Sequence, residues 1–315
     1  MAIFVVMRFL FPLILVSTGC LTTSHPHQPS ALGQPSRTSA LLSVIDVPGP
    51  LEVETVSSAD WVVDRGGLID LDDPRAKAAG LKAGDEPIQV FFHVIRHPTR
   101  GTFIVDSGME RALRDAPEKA ALRGLVTRFM KRDQLHIRVA LGDWLAAHDN
   151  KLDGVFMTHL HLDHIAGLPD VPRGTPIYVG PHEAEERNAM NSVLAGSLDR
   201  ALAGQAPLSE WNFAPDPDGR FAAVVDVFGD GSLWAIATPG HTKGATAYLA
   251  RTTHGPVLMT GDTCHTAWGW QHHVAPGSFT ADHKANVDSL QRLQQLVAEH
   301  PRIDVRLGHQ RLAAQ

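Results

Sequence analysis

Cysteine is nearly absent: the 315 residues contain two, Cys20 and Cys264, so no disulfide framework can carry the fold. An excess of positive charge is missing too. Lys and Arg total 28 against 34 Asp and Glu, a net charge of −6. That balance offers no basic surface for phosphate backbones, so nucleic acid is not an expected partner. The longest apolar run, Phe9–Val16, is too short and too interrupted by Pro12 to span a bilayer as a mature helix. No internal repeat is visible. What is present is 43% apolar and 20% charged residues, enough for one large domain or two small ones, with 18 histidines.

The first twenty residues, "MAIFVVMRFLFPLILVSTGC", follow the layout of a secretory signal: Arg8, an apolar run, then small residues. The ending "VSTGC" resembles a bacterial lipobox, with Ser17 in place of the usual aliphatic residue. The resemblance implies lipidation of Cys20 after cleavage and anchoring to the outer membrane facing the periplasm, since Leu21 follows. Diacylation adds about 0.8 kcal/mol per buried methylene, which makes a stable anchor. Residues 21–43 are Ser, Thr, Pro, Gln and His-rich, and read as a flexible tether in which His25 and His27 are solvated. The folded domain, residues 44–315, is expected to start near Val44.

Strand signals dominate from there. "LEVETV" alternates, and "IQVFFHVIRH" and "TFIVDSG" read as strands joined across "PTRG". Helical stretches are expected at residues 117–131, 183–203 and 286–299, with a Pro- and Asp-rich loop over 204–219. Short apolar strands recur at "GVFMTHL", "PIYVG", "FAAVVDVFG", "LWAIATPG", "ATAYLA", "PVLMTGD" and "IDVRLGH". This order fits layered sheets covered by helices, an α/β (α+β) fold class.

One of those strands runs into "THLHLDH", residues 158–164. On an extended segment alternate side chains face the same way, so His159 and His161 point together. A following turn into a helix brings Asp163 and His164 round to a neighbouring position. Imidazoles and a carboxylate so placed are ligands for a first-row divalent ion, zinc being well suited. A single histidine at a strand end is usually a satisfied polar group; four such groups in six residues are not. Two ions need further ligands, and other strand ends supply them. His241 follows "LWAIA", Asp262 ends "LMTGD", and His309 ends "VRLGH". Each is a metal-binding side chain directly after an apolar strand, where loops on a rigid scaffold carry function.

"THLHLDH", "TPGHTKG", "TGD" and "LGH", in this order and with "FIVDSG" upstream, resemble the metallo-β-lactamase superfamily of dinuclear hydrolases. The resemblance covers roughly residues 51–312. It implies a four-layer αββα sandwich with two divalent metal ions at one edge between the sheets. His159, His161 and His241 would hold the first ion; Asp163, His164 and His309 the second; Asp262 would bridge them. Asp106 matches a position that supports the ligands. Such ions share a water and lower its pKa, and the resulting hydroxide attacks the substrate. Asp163 is also a candidate proton carrier to the leaving group, and no serine or cysteine nucleophile is needed. Cys264 is expected to pack rather than react.

An aspartate bridge resembles lactonases, glyoxalase-type thioesterases and phosphodiesterases rather than β-lactamases. The segments "FIVDSGM" and "THLHLDHIAGL" most resemble the acyl-homoserine lactonase-like branch. Those lactonases carry a tyrosine three residues after the bridging aspartate; His265 stands there, and can polarise the substrate carbonyl only by donating from its ring. Trp268 and Trp270 are candidates for an apolar substrate wall or for ordinary packing, and His272 and His273 for surface groups. The expected activity is hydrolysis of a small-molecule ester, lactone or thioester. The alternatives are a phosphodiesterase or β-lactam hydrolase of the same superfamily, and an envelope protein that binds metal without catalysis. Acidic balance and an export signal count against the phosphodiesterase, the complete ligand set against the non-catalytic protein.

Overall fold

A computed structural model of the chain describes residues 20–312 apart from residues 125, 189 and 190. The proposed signal segment before Cys20 lies outside the described residues.

Two sheets form the centre. The eight-stranded sheet runs in the order His27–Pro29, Leu208–Glu210, Ile177–Val179, Gly154–Phe156, Gly101–Val105, Asp85–His97, Glu52–Asp64, His136–Ile137. The six-stranded sheet runs Asp304–Arg306, Gly255–Met259, Thr246–Thr252, Leu233–Ala237, Val224–Asp226, Gln34–Pro35. Side-chain alternation sorts the apolar residues into three layers. Phe103, Val105, Phe156 and Tyr178 meet Val225, Leu233, Ala235, Tyr248 and Met259 between the sheets. Their neighbours Ile104, Val155, Ile177 and Val179 face outward under Leu141 and Trp144 of the helix Leu141–Ala146, Leu162 of the helix Leu162–Ile165 and Leu198 of the helix Asn191–Ala201. On the far side Val224, Trp234, Ile236, Leu249 and Leu258 are covered by Leu41 and Ile45 and by Leu290, Leu293 and Leu296 of the helix His283–Glu299. Helix, sheet, sheet, helix is the four-layer αββα sandwich. Tyr248 pins the two sheets: its hydroxyl donates to the Met157 carbonyl at 2.9 Å and accepts from the Trp211 indole at 3.0 Å.

The expected tether is instead part of the fold. His27–Pro29 pairs in parallel with Leu208–Glu210, and Gln34–Pro35 pairs antiparallel with Val224–Asp226. Thr38–Val44 is a helix, and Ser24 is held by Asp199 through backbone and hydroxyl. Both outermost strands thus gain a partner, which covers sheet edges that would otherwise be open. His25 and His27 are engaged as well, His25 Nε2 with the Ala206 carbonyl at 2.9 Å and His27 with Glu210 at 3.2 Å.

Other expectations shift in detail. The stretch 117–131 is mostly turn, with one helical turn at Val126–Phe129. The helix expected over 183–203 is confined to Asn191–Ala201, and Leu208–Glu210 is a strand inside the expected loop. The helix at 286–299 begins earlier, at His283, capped by the Asp282 carboxylate accepting from Ala285 N.

Candidate metal centre

Strand direction delivers the site residues to one edge. Gly101–Val105, Gly154–Phe156 and Ile177–Val179 are parallel, and so end together. In the other sheet Leu233–Ala237 and Gly255–Met259 are both antiparallel to the strand between them, and Asp304–Arg306 is parallel to Gly255–Met259. The loops carrying His159, His241, Asp262 and His309 therefore all leave C-terminal strand ends. Within "THLHLDH" His161 is extended, and the backbone turns helical over Leu162–Ile165.

The seven side chains converge. His159, His161, His241 and Asp262 form one four-ligand group; Asp163, His164, Asp262 and His309 form a second, with ligand atoms within 4.8 Å of one another in each. Asp262 Oδ2 is the common point: it lies 3.3 Å from His164 Nε2, 3.3 Å from His309 Nε2, 3.5 Å from His241 Nε2 and 3.7 Å from His159 Nε2. His161 Nδ1 faces His241 Nε2 at 2.8 Å. Asp163 Oδ2 is 3.2 Å from His309 Nε2.

The outer ring nitrogens are tied down, which aims the inner ones. His164 Nδ1 donates to Asp106 Oδ2 at 2.8 Å and His309 Nδ1 donates to the Gln89 carbonyl at 2.9 Å. With its proton on Nδ1, each neutral ring presents a lone pair from Nε2 to the centre, the arrangement a metal ligand needs. Asp106 supports rather than binds, accepting also from Thr158 N at 2.8 Å. Its φ of +58° is an uncommon backbone for aspartate, held in place by these bonds.

The donor set fits divalent ions. His159 Nε2, His164 Nε2 and Asp262 Oδ1 are buried and make no hydrogen bond among the described residues. Each such orphan costs about 1–3 kcal/mol unless something completes it. Electrostatics agree. Burial, reinforced by neighbouring imidazoles, holds His159 and His241 well below the ordinary histidine range. At His309 burial opposes the charge, but Asp262 and Asp163 outweigh it and push the ring up to about 10. His164 is likewise raised against burial by Asp262, Asp106 and Asp163. Asp163 and Asp262 are lowered despite burial by the imidazoles beside them. The carboxylates thus demand positive charge, which protons supply without ions.

His265 lies at the same centre, fully buried, with Nε2 3.1 Å from Asp262 Oδ2 and Nδ1 3.2 Å from the Leu68 carbonyl. Since a carbonyl only accepts, Nδ1 carries a proton, and Nε2 can donate only from the doubly protonated ring. Above the centre opens a cavity of about 700 Å³, a volume usual for small-molecule sites. Trp61, Val63, Leu68, Ile88 and Phe279 form apolar wall; His161, Asp163, His241, Asp262, His265 and His309 line its polar side. These apolar residues gave no sign in the sequence: Trp61 lies in the second half of a long strand, and Phe279 comes from an irregular loop. Trp268 and Trp270 do not line the cavity; they pack against the two helix-covered cores. His272 and His273 are exposed, and Cys264 is buried in apolar packing with its thiol pushed up to about 12 by burial.

A sandwich whose sheet edge carries two candidate metal-ligand groups sharing one aspartate points to the class of metal-dependent hydrolases. The sequence profile of the metallo-β-lactamase superfamily matches residues 85–300, and the chain belongs to that superfamily. It is a metal-dependent hydrolase. It is 30% identical over 229 residues to N-acyl homoserine lactonase AttM of Azorhizobium caulinodans, covering 71% of this chain and 83% of that one. A crystal structure of a quorum-quenching N-acyl homoserine lactone lactonase superposes with a TM-score of 0.56 at 18% identity, covering 84% of this chain and 93% of that one. AidC, a dizinc quorum-quenching lactonase in complex with a product, superposes with a TM-score of 0.51 at 13% identity, covering 88% and 90%. At these identities the superpositions establish the fold.

Proposed function

We propose that the chain is a dinuclear-metal hydrolase, with zinc as the metal, that opens small lactones carrying an apolar tail and related esters or thioesters. The observation that carries this reading is the pair of ligand groups sharing Asp262 on the floor of a cavity with apolar walls. His159, His161 and His241 would hold one ion, Asp163, His164 and His309 the other, and Asp262 both. When bound, the ions supply Lewis-acid activation of the carbonyl and water with its pKa lowered to about 7.

The chain's own groups do the rest. Trp61, Leu68 and Phe279 shed water from an apolar acyl tail and so fix the direction in which the carbonyl enters. A doubly protonated His265 would donate from Nε2 to the oxygen that gains charge during attack, with its Nδ1 proton held by the Leu68 carbonyl. Asp163, ionised at rest and at the cavity surface, would accept the proton of the attacking water and pass it to the departing alkoxide oxygen. Similarity to the lactonase AttM supports the lactone as substrate class. A panel of lactone, thioester, β-lactam and bis-nitrophenyl phosphate substrates tests the assignment. Turnover confined to the phosphodiester or to the β-lactam would refute it.

The signal-like first twenty residues support export and lipid anchoring at Cys20, with the domain in the periplasm. Metabolic labelling with a palmitate analogue checks this; an unlabelled, fully soluble mature chain would remove it.

A further inference from the structure

We infer that Glu183 is a positioning residue for the metal centre, whose buried carboxylate joins the two loops that present His161 and His241. The inference rests on the metal-centre reading above. Glu183 is fully buried, on a turn that follows the strand Ile177–Val179. Its Oε2 accepts from Leu160 N at 3.0 Å, the peptide between His159 and His161. Its Oε1 accepts from Gly244 N at 2.9 Å and from the Thr242 hydroxyl, both just beyond His241. One side chain thus satisfies donors on two loops that leave different sheets.

The local backbone is shaped for this contact. His182 has φ of +68°, an uncommon conformation for histidine that leaves its own ring exposed and turns the next residue inward. The loops are already close there: a Cβ on Gly180 would lie 1.8 Å from the Gly244 carbonyl oxygen. Residues larger than glycine would push the loops apart at the point the carboxylate ties. The consequence for the site is the approach of His161 Nδ1 to His241 Nε2 at 2.8 Å, with ring centroids 4.6 Å apart. Two ring nitrogens that near one another are set for a shared cation. No basic side chain pairs with Glu183 in the contacts above; burial raises its carboxyl to about 7, and the donors oppose that rise. A buried group unfavourable in isolation is retained where its hydrogen bonds fix geometry.

The test measures metal affinity separately from activity, by competition of chelator with zinc on the full-length domain. Glu183→Gln replaces one acceptor oxygen with an amide that faces a donor. Loss of a group supporting the ligands typically costs about 10–100-fold in metal affinity. The expected result is a loss of that size for one of the two ions, the other being held much as before. Thr242→Val, which removes one donor and leaves both backbone bonds, is expected to give a smaller loss in the same direction. Glu110→Gln is the control: that carboxyl is equally buried and accepts from Ala121 N at 2.7 Å, away from both loops. It should lower the melting temperature without changing zinc affinity. If Glu183→Gln melts lower but binds both ions as tightly as the parent, the inference is overturned. If the parent itself binds no zinc, the metal-centre reading falls and the inference with it.

Discussion

Gly308 stands directly before the ligand His309, and adding one methyl group there tests how tightly Asp262 must be held. Its φ is not positive, so alanine meets no backbone strain, and the effect is purely steric. A Cβ at 308 would lie 2.1 Å from Asp262 Oδ1 and 3.0 Å from the Gly261 carbonyl oxygen. The first contact is about 1 Å inside any tolerable carbon–oxygen separation. The loop cannot swing clear, because Gly308 N donates to Cys264 O at 3.1 Å and His309 N to His265 O at 3.0 Å. Asp262 must therefore move, and it is the carboxylate common to both ligand groups. Metal–ligand distances tolerate only about 0.2 Å. Misplacement of a reacting group by about 1 Å costs roughly 10²-fold in rate, or about 2.7 kcal/mol. Overpacking adds about 1–3 kcal/mol of lost stability. Gly308→Ala should fold, retain fewer than two ions after dialysis, and turn over at least about a hundredfold more slowly on the substrate that the panel identifies. Wild-type metal content together with wild-type turnover would refute the packing argument.

Asp163→Asn should keep the fold but weaken the ion held with His164 and His309 and cut turnover by orders of magnitude, since a neutral amide neither balances the ion nor carries a proton; unchanged kinetics would show the position misassigned. His265→Ala should lower turnover by about 10²–10³-fold with metal content intact, because it removes the Nε2 donor beside Asp262, and His265→Tyr should restore part of it; unaltered rates in His265→Ala would place the ring outside the chemistry. In chelator-treated protein the raised folded pKa of His309, about 10 against an ordinary 6.5, contributes stability that is fully present below pH 6.5 and lost as pH rises towards 10. The melting temperature of that sample should fall between pH 7 and 10, while zinc-loaded protein gains ion affinity over the same range as the competing protons leave; a flat profile for the metal-free protein would contradict the electrostatics.

The candidate ligands could be picked out in the sequence because they follow apolar strands, and strand ends leave few places for the next residues to go. The position of Asp106 was legible in the same way, after "FIV". Other features leave no such trace. The segment 21–43 is mostly polar, with only a few leucines and alanines among Ser, Thr, Pro, Gln and His, yet its backbone pairs with two sheet edges, and backbone hydrogen bonding is invisible to composition. Pro29 and Pro35 end those short edge strands, where a missing N–H is tolerated. The strand Glu52–Asp64 runs well past "LEVETV", but a register shift between Ser57 and Ala59 breaks the alternation that would have marked its second half. Trp268 and Trp270 were ambiguous because a helix, Ala267–His272, turns them away from the cavity; Thr266 caps it by accepting from Gly269 N at 3.0 Å. The cavity wall combines Trp61 and Ile88 from long strands with Phe279 from a loop, 44% exposed, and only tertiary structure joins them.

Whether two ions share Asp262 is tested most directly by metal analysis of protein purified without chelator. Seven ligands in two groups joined by one carboxylate predict about two divalent ions per folded chain, zinc foremost, and loss of both in Asp262→Ala. A folded, freshly prepared sample carrying close to none, and taking up none when zinc is supplied, would contradict it.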